Sequence, residues 1–250
     1  MKREDCRLIV ALDFDRLGRA IELAKDVAGI AGMFKIGSRL FTAEGPDAVR
    51  ELAKLGPGIF LDLKFHDIPN TVAGAVSAAA SLPGIRLMNL HTLGGFRMMR
   101  AAVGALAAGE KRARPRLLGV TILTSLDAEA MGKVGISGRP KTRAVQLARL
   151  ARKAGLDGVV ASAHEVAAIR RACAASFLIV VPGVRPGGLG AATPGFRRAG
   201  DQARVATPAE AIRAGADYVV VGRPITEARD PRAAAAAIAQ EMAQAQRRRI

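Results

Sequence analysis

The sequence has near its start the apolar run Leu8-Ile9-Val10-Ala11-Leu12, which is followed at once by Asp13-Phe14-Asp15. This stretch distinguishes between two possible folds of the chain, an open sheet and a closed barrel. A short continuous apolar run of this kind predicts a strand that is buried on both faces. In an open doubly wound sheet that binds a dinucleotide, the first strand is followed by Gly-x-Gly-x-x-Gly. That pattern is absent here, and so is the Gly-x-x-x-x-Gly-Lys-[Ser/Thr] phosphate loop. The first strand therefore gives no support to the open sheet.

Seven further apolar runs follow, with stretches of helical periodicity between them. The predicted strands are Leu8–Leu12, Met33–Ile36, Ile59–Leu63, Leu87–Leu90, Leu117–Ile122, Gly158–Ala161, Leu178–Val181 and Tyr218–Val221. The predicted helices include Gly18–Ala28, Pro46–Lys54, Thr142–Ala154 and Pro208–Ala214, with Asp47 and Thr207 as helix-start residues. Eight strands that alternate with helices predict a (β/α)8 TIM barrel. Because no linker or low-complexity block interrupts the pattern, we expect one barrel domain over residues 1–250.

The composition is that of a folded protein. Of 250 residues, 50% are hydrophobic and 24% are charged, which argues against intrinsic disorder. No apolar run reaches the roughly 18 residues that a membrane helix needs, and the charged start Met1–Asp5 does not resemble a signal peptide. Two cysteines, Cys6 and Cys173, predict reduced thiols in a cytoplasmic protein. The three histidines stand too far apart to predict a metal site.

The net charge of +16 is the one unusual value. It raises the possibility of a polyanionic partner such as RNA, and a basic RNA-binding barrel is the non-enzyme alternative. The arginines are spread along the whole chain, however, and aromatic residues, on which bases could stack, make up only 4%. We therefore expect no nucleic acid and no membrane partner, but a small phosphorylated substrate.

Charged residues cluster on the predicted third strand, Leu61-Asp62-Leu63-Lys64-Phe65. Side chains alternate between the faces of a strand, so Asp62 and Lys64 share the face that looks into the barrel. Lys35 lies on the neighbouring strand, and Asp67 follows the end of the third strand. A structural ion-pair network would also contain such charges, because buried charges must be paired. Their position at the carboxyl ends of the strands, where barrel active sites lie, favours catalysis.

The pattern also limits the chemistry. A lysine between carboxylates stays protonated, because nearby negative charge favours the charged form. Such a lysine is a general acid, whereas a Schiff-base lysine needs desolvation or cationic neighbours. The array therefore favours proton delivery to a developing carbanion. A carboxylate beside it would repel a substrate carboxylate until carbon dioxide leaves.

A phosphate site is predicted at the ends of the last two strands, where barrels of this type usually hold phosphate. Gly222 lets a backbone N–H approach an anion closely, and Arg223 supplies charge-assisted hydrogen bonds. The Gly/Pro-rich stretch between Arg185 and Gln202 is interpreted as a lid over the ligand.

Six ordered blocks of the chain resemble the orotidine 5′-phosphate decarboxylase family. The most specific block is Asp62-Leu63-Lys64-Phe65-His66-Asp67-Ile68-Pro69-Asn70-Thr71, which is similar to the family signature. The others are Phe34–Gly37, Leu123–Ser125, Pro182–Pro186, Gly200–Gln202 and Val221–Thr226. The resemblance implies a cofactor-free and metal-free decarboxylation of orotidine 5′-phosphate to UMP, in de novo pyrimidine biosynthesis. It also implies a homodimer. One departure is the segment 186–201, which is longer than in compact family members.

The resemblance also implies a role for each matching residue. Lys64 is expected to donate the proton to C6 of the pyrimidine, and Lys35, Asp62 and Asp67 to complete its charged network. Asp67 and Thr71 are expected to reach the site of the partner subunit. The expected substrate contacts are Asp13 to the ribose, Lys35 and Thr71, Thr124 or its neighbour Ser125 near the base, and Arg185, Gln202, Gly222 and Arg223 at the phosphate. His66 and His91 are expected to be structural.

Related barrels that depend on magnesium carry a similar third strand. These are the 3-keto-gulonate 6-phosphate decarboxylases and the hexulose-phosphate synthases, and they form the enzyme alternative. At the position that matches Lys35 they typically have a glutamate that helps to bind the metal. Lys35 and the block from His66 to Thr71 favour the orotidine interpretation.

Overall fold

The computed structural model describes residues 6–108, 114–186 and 206–247. Eight parallel strands, β1 to β8, form a closed barrel in chain order. The strands are β1 (Leu8–Ala11), β2 (Met33–Gly37), β3 (Gly58–Phe65), β4 (Ile85–His91), β5 (Arg116–Val120), β6 (Gly158–Val160), β7 (Leu178–Pro182) and β8 (Tyr218–Val221). β8 pairs with β1, where Val221 lies opposite Val10, and so closes the cylinder. The predicted barrel is confirmed, and the largest differences in strand bounds are at β3, β4 and β5.

Helices connect the strands and cover the outside of the barrel. They are α1 (Leu17–Val27), α2 (Ser38–Glu44), α3 (Pro46–Ala53), α4 (Pro69–Ala80), α5 (Gly95–Ala107), α6 (Ala128–Lys133), α7 (Pro140–Ala154), α8 (Val166–Ala172), α9 (Pro208–Ala214), α10 (Arg223–Thr226) and α11 (Pro231–Arg247). Thr207 caps α9 in a capping box with Glu210, as predicted for a helix start. Asp47 lies in the first turn of α3, whose N-cap is Gly45, so the helix begins before the predicted residue. None of the helices in the described ranges is long and apolar enough to cross a membrane.

Two apolar layers follow from the alternation of side chains along the strands. One set fills the barrel interior: Ile9, Ala11, Met33, Phe60, Leu87, Leu118, Val120, Val160, Val180 and Val220. The alternate residues, such as Val10, Phe34 and Leu61, face outwards and form the larger core beneath the helices. Because the strands are buried on both faces, they read in the sequence as continuous apolar runs.

Two aspartates stabilise the amino end of the barrel, and each of them lies just before a strand and binds a backbone N–H of the preceding strand. Asp157 precedes β6 and accepts a hydrogen bond from Leu117 N–H of β5, and Asp217 precedes β8 and accepts one from Ile179 N–H of β7. Arg114 and Arg116 pair with Asp157. Although burial raises the pKa of Asp157, these hydrogen bonds outweigh it and hold the pKa below its usual range. The charged residues at this end of the barrel therefore stabilise the contacts between neighbouring strands.

At the carboxyl end, the loops after β7 and before α9 meet. The Arg185 N–H donates to the Ala206 carbonyl at 3.0 Å. This hydrogen bond brings together the residues on either side of the segment 187–205. The expected phosphate contact Gln202 and the expected lid, beyond Pro186, lie outside the described residues.

Candidate active site

An alternating row of charges crosses the carboxyl ends of the first three strands. Asp62 lies in the middle: its Oδ1 is 2.7 Å from Lys64 Nζ, and its Oδ2 is 3.4 Å from Lys35 Nζ. Lys35 Nζ is also 2.8 Å from Oδ1 of Asp13. The order is therefore Asp13, Lys35, Asp62 and Lys64, with each charge beside one of opposite sign. The predicted grouping of Lys35, Asp62 and Lys64 is found, and Asp13 joins it.

The barrel register accounts for much of this row. Ala11 lies opposite Lys35, and Gly37 lies opposite Asp62, so the strand ends meet at nearly one level. The lack of a side chain at Gly37 is needed for the lysine to fit. A Cβ there would lie 2.8 Å from Lys35 Nζ and 3.0 Å from Oδ1 of Asp13. Since φ of Gly37 is −95°, space rather than backbone conformation requires glycine here.

Lys64 departs from the regular strand. Its φ is +52°, and it is the one non-glycine residue with a positive φ in the described part of the chain. The register between β3 and β4 shifts between Leu61 and Phe65, on either side of it. Alternation along the strand correctly predicted which face carries Lys64, but it did not predict this conformation. A left-handed backbone in a lysine is uncommon and is typical of strained functional sites.

The exposure of the four side chains increases towards the ends of the row. Lys35 is 10% exposed and Asp62 is 13% exposed, whereas Lys64 is 37% exposed and Asp13 is 56% exposed. The two inner charges are held by their neighbours, and the two outer groups are accessible to a ligand. The arrangement can therefore present an ammonium group at one point and a carboxylate at another, several ångströms apart.

Asp67 does not join the row within this chain. It is exposed beyond the end of β3, and its Oδ1 accepts a hydrogen bond from Ile68 N–H at 2.6 Å. Among the residues that the structure describes, it forms no ion pair with Lys35 or Lys64. The chain turns into α4 after Phe65, which carries the carboxylate away from its own lysines. Thr71, in the first turn of α4, is also exposed.

The expected phosphate contacts lie at the ends of β7 and β8. Gly222 adjoins Asp13, because a Cβ on Gly222 would lie 4.0 Å from Oδ2 of that aspartate. Arg223 is exposed at the start of α10, and Arg185, three residues after β7, is half-buried. Thr124 is exposed in the loop after β5. These positions share the carboxyl end of the barrel with the row of charges.

Two residues of β4 surround Lys64. Asn89 is fully buried and bonds to both Lys64 and Asp62, a role that was not predicted although Asn89 lies within the predicted strand Leu87–Leu90. His91 stacks on His66, with the ring centres 5.4 Å apart. Burial, together with the positive neighbours His66 and Lys64, lowers the pKa of His91. In the described ranges, no cluster of three or more His, Cys, Asp or Glu residues has the geometry of a metal site.

Comparison with known proteins gives one consistent family. A family model described as "Orotidine 5'-phosphate decarboxylase / HUMPS family" matches residues 6–238. An orotidine 5′-phosphate decarboxylase of Anaeromyxobacter dehalogenans is 53% identical over 233 residues, which are 93% of this chain and 96% of that protein. One from Geobacter sulfurreducens is 50% identical over 245 residues, 97% of this chain and 99% of that protein.

Solved structures agree with these sequence relatives. The crystal structure of orotidine 5′-phosphate decarboxylase from Lactobacillus acidophilus is similar with a TM-score of 0.79 and 36% identity, over 95% of this chain and 99% of that chain. The corresponding structure from Pyrococcus horikoshii has a TM-score of 0.72 and 26% identity, over 94% of this chain and 99% of that chain. The similarity therefore extends over almost the whole barrel.

Proposed function

This chain belongs to the orotidine 5′-phosphate decarboxylase / HUMPS family, and its reaction is the decarboxylation of orotidine 5′-phosphate to UMP in pyrimidine biosynthesis; we propose that Lys64 supplies the proton that replaces the carboxylate. The observation that supports this role is the row Asp13, Lys35, Asp62 and Lys64, in which Lys64 is the accessible ammonium. The lysine is held by a carboxylate, as a general acid should be.

The proposed reaction breaks the bond between C6 of the pyrimidine and the carboxylate carbon. The electron pair stays on C6, carbon dioxide leaves, and Lys64 Nζ donates a proton to C6. Lys64 is left as a neutral amine and recovers its proton from solvent. Asp62 repels the substrate carboxylate, and this repulsion is relieved as the charge moves to C6 beside the Lys64 ammonium. Preorganised charges of this kind stabilise a transition state without reorganisation.

Lys35 has a different role in the proposal, because it holds two carboxylates apart. Its Nζ occupies the space between Asp13 and Asp62, at 2.8 Å and 3.4 Å. A divalent cation at these carboxylates would have to displace or repel that ammonium. We therefore propose that the reaction needs neither a metal nor a cofactor. The position of Lys35 between the two carboxylates argues against the magnesium-dependent alternative.

The remaining binding roles follow the geometry of the barrel end. Asp13, the most exposed member of the row, is proposed to bind the ribose. Arg185, Gly222 and Arg223 are proposed to bind the phosphate together with Gln202, and Thr124 to contact the nucleotide near the base. Binding energy from the phosphate can then hold C6 against Lys64, far from the phosphate itself.

We further propose a homodimer in which Asp67 and Thr71 of each subunit complete the site of the other subunit. Asp67 is exposed and makes no ion pair within the described part of its own chain. Ile68 beside it is an exposed apolar residue, and so are Leu93 and Phe96 in the next βα connection. Exposed apolar residues that follow neighbouring strands, together with a carboxylate that forms no ion pair in the described residues, support an interface here.

We also propose a cytoplasmic location. Cys6 and Cys173 are free and buried, and burial raises the pKa of both thiols, so they stay reduced and unreactive. Free cysteines are usual in the cytosol.

The test of the proposed function is turnover of orotidine 5′-phosphate, followed by its ultraviolet absorbance, with EDTA present. The wild-type protein is expected to form UMP, and Lys64→Ala is expected to lose turnover while keeping its fold. Lys54→Ala is the matched control, because Lys54 is an exposed lysine at the end of α3 whose ion pair, in the part of the chain that the structure describes, is with Glu51. Near-normal turnover by Lys64→Ala would overturn the role of Lys64. Turnover that requires Mg²⁺ would overturn the metal-free proposal.

A further inference from the structure

Asn89 is the fully buried polar residue that touches both Asp62 and Lys64. Its Oδ1 accepts a hydrogen bond from the Lys64 backbone N–H at 2.8 Å. Its Nδ2 donates to Oδ1 of Asp62 at 2.7 Å. One amide group thus binds the backbone of the lysine and the carboxylate that holds its ammonium. We propose that Asn89 is a positioning residue that aims the Lys64 ammonium at the reacting carbon, an inference that rests on the proposed role of Lys64.

The first of these hydrogen bonds acts on the backbone. Lys64 has φ of +52°, which a lysine adopts only when its surroundings determine it. The register shift around Lys64 removes its N–H from the regular strand ladder. Asn89 accepts this N–H where no strand carbonyl is in place, and so compensates the irregular conformation. Without that acceptor, the conformation that points the side chain towards the barrel mouth loses a specific restraint.

The second hydrogen bond acts on the carboxylate. Oδ1 of Asp62 receives both Asn89 Nδ2 and Lys64 Nζ, each at 2.7 Å, while Oδ2 faces Lys35 at 3.4 Å. The amide therefore fixes which oxygen meets which lysine. An asparagine side chain offers one acceptor and two donors on a plane, and no apolar or carboxylate side chain of that size can do both. Buried partners of catalytic groups typically affect activity by 10- to 100-fold.

Loss of Asn89 is expected to lower kcat and to leave substrate binding nearly unchanged. Asn89 is on β4, whereas the proposed phosphate and ribose contacts among the described residues follow β1, β7 and β8. Loss of its hydrogen bonds should misplace Nζ without removing any group that binds the nucleotide. A displacement of about 1 Å costs on the order of 100-fold in rate. We therefore expect kcat to fall between about 10- and 100-fold, with the KM for orotidine 5′-phosphate and the Kd for UMP changing by less than about threefold.

The experiment compares two variants of Asn89 with a matched control. Asn89→Leu removes both hydrogen bonds at similar size, and Asn89→Asp keeps the acceptor but cannot donate to Asp62. The control is Thr92→Val, just after β4, because Thr92 is equally buried and its hydroxyl donates to the Val120 carbonyl at 2.7 Å. For each protein, kcat, KM, the Kd for UMP and the Tm are measured. Exchange of the C6 proton of UMP with deuterated water reports proton transfer alone.

Both Asn89 variants are expected to lose kcat and C6 exchange, while Thr92→Val loses stability only. The inference is overturned if either Asn89 variant keeps kcat within twofold of wild type, or if kcat falls no further than in Thr92→Val. Should Asn89→Leu fail to fold, Asn89→Asp decides alone. Lys64→Ala is measured in parallel: if it is inactive while the Asn89 variants are active, only this inference fails. If it is active, the role of Lys64 and this inference fail together.

Discussion

The Nζ atom of Lys35 lies 2.8 Å from Oδ1 of Asp13, which joins the end of β2 to the end of β1. Asp13 was expected at the ribose, and Lys35 was expected both in the charged network and among the substrate contacts. The structure places Lys35 between Asp13 and Asp62, because the same ammonium also faces Asp62 at 3.4 Å. A ligand that shifts the Asp13 carboxylate therefore acts, through Lys35, on Asp62, the carboxylate that pairs with Lys64. Any change that displaces Lys35 is expected to affect binding and chemistry together.

Gly37→Ala tests this coupling. The added Cβ would lie 2.8 Å from Lys35 Nζ and 3.0 Å from Oδ1 of Asp13, so at least one of these two side chains must shift. We expect kcat/KM to fall about 10- to 100-fold, because small misplacements of charged groups are costly in a preorganised site. Steady-state kinetics measure the loss. Gly18→Ala is the control, since nothing lies within 4 Å of the added atom, and its kcat/KM should equal that of wild type. An unimpaired Gly37→Ala enzyme would contradict the coupling.

Arg223→Ala is expected to weaken the binding of the substrate phosphate and no other part of the reaction. Loss of hydrogen bonds from a charged group costs about 1.5 to 3 kcal/mol, so kcat/KM for orotidine 5′-phosphate should fall about 10- to 150-fold. The same variant should act on orotidine, which lacks the phosphate, as wild type does. Arg229→Ala, an exposed arginine of the following loop, is the control. Equal losses on both substrates would show that Arg223 does not act through the phosphate.

Mixing two inactive variants tests the shared site. If Asp67 of one subunit completes the site around Lys64 of the other, a dimer of one Lys64→Ala and one Asp67→Ala subunit contains one intact site. Random exchange of subunits then restores up to about a quarter of wild-type activity, because half of the dimers are mixed and each has one intact site of two. Activity is assayed after the subunits are dissociated and reassembled together. If the mixture stays as inactive as its components, Asp67 acts within its own chain.

Glu165, at the start of α8, gives a prediction on pH and stability. Burial raises the pKa of its carboxyl to about 7, against the attraction of Lys141 and a hydrogen bond from Ser162 N–H. Between the ordinary pKa of about 4.3 and about 7, the native state keeps a proton that the unfolded chain has lost. The free energy of unfolding therefore falls as the pH rises through this window, by up to about 3 kcal/mol.

Glu165→Gln removes this dependence, because the amide stays neutral and its oxygen still accepts from Ser162 N–H. The variant should be more stable than wild type near pH 8 and similar to it near pH 5, when both are unfolded with urea. Glu129→Gln, which alters an exposed pair with Lys133, should leave the pH dependence as it is in wild type. Parallel stability curves for Glu165→Gln and wild type would contradict this assignment.

The strands and the inward face of β3 could be predicted because both follow from patterns in the chain. Buried parallel strands read as apolar runs, and Asp62 and Lys64 share a face because they are two residues apart. The pair of Lys35 with Asp13 could also have been found, since both residues lie at the ends of neighbouring strands. The order of the strands alone indicates that these two strand ends are neighbours in the barrel.

Other features depend on the fold itself. The left-handed backbone of Lys64 has no signal in the sequence, because a lysine in a strand pattern predicts extended backbone. The two hydrogen bonds of Asn89 depend on that conformation. The separation of Asp67 from its own lysines likewise follows from the turn after Phe65. In each case a local irregularity, rather than a pattern, decides where the group lies.

The hydrogen bond from Arg185 N–H to the Ala206 carbonyl has a consequence for how such enzymes diversify. This hydrogen bond joins the chain before the segment 187–205 to the chain after it, so changes in the length of that segment need not move β7 or β8. Doubling the length of a loop with fixed ends costs only about 0.6 kcal/mol. Insertions can therefore accumulate in this segment while the strands that carry the row of charges stay unaltered. The length of this segment and the row of charges can in this way change independently of each other.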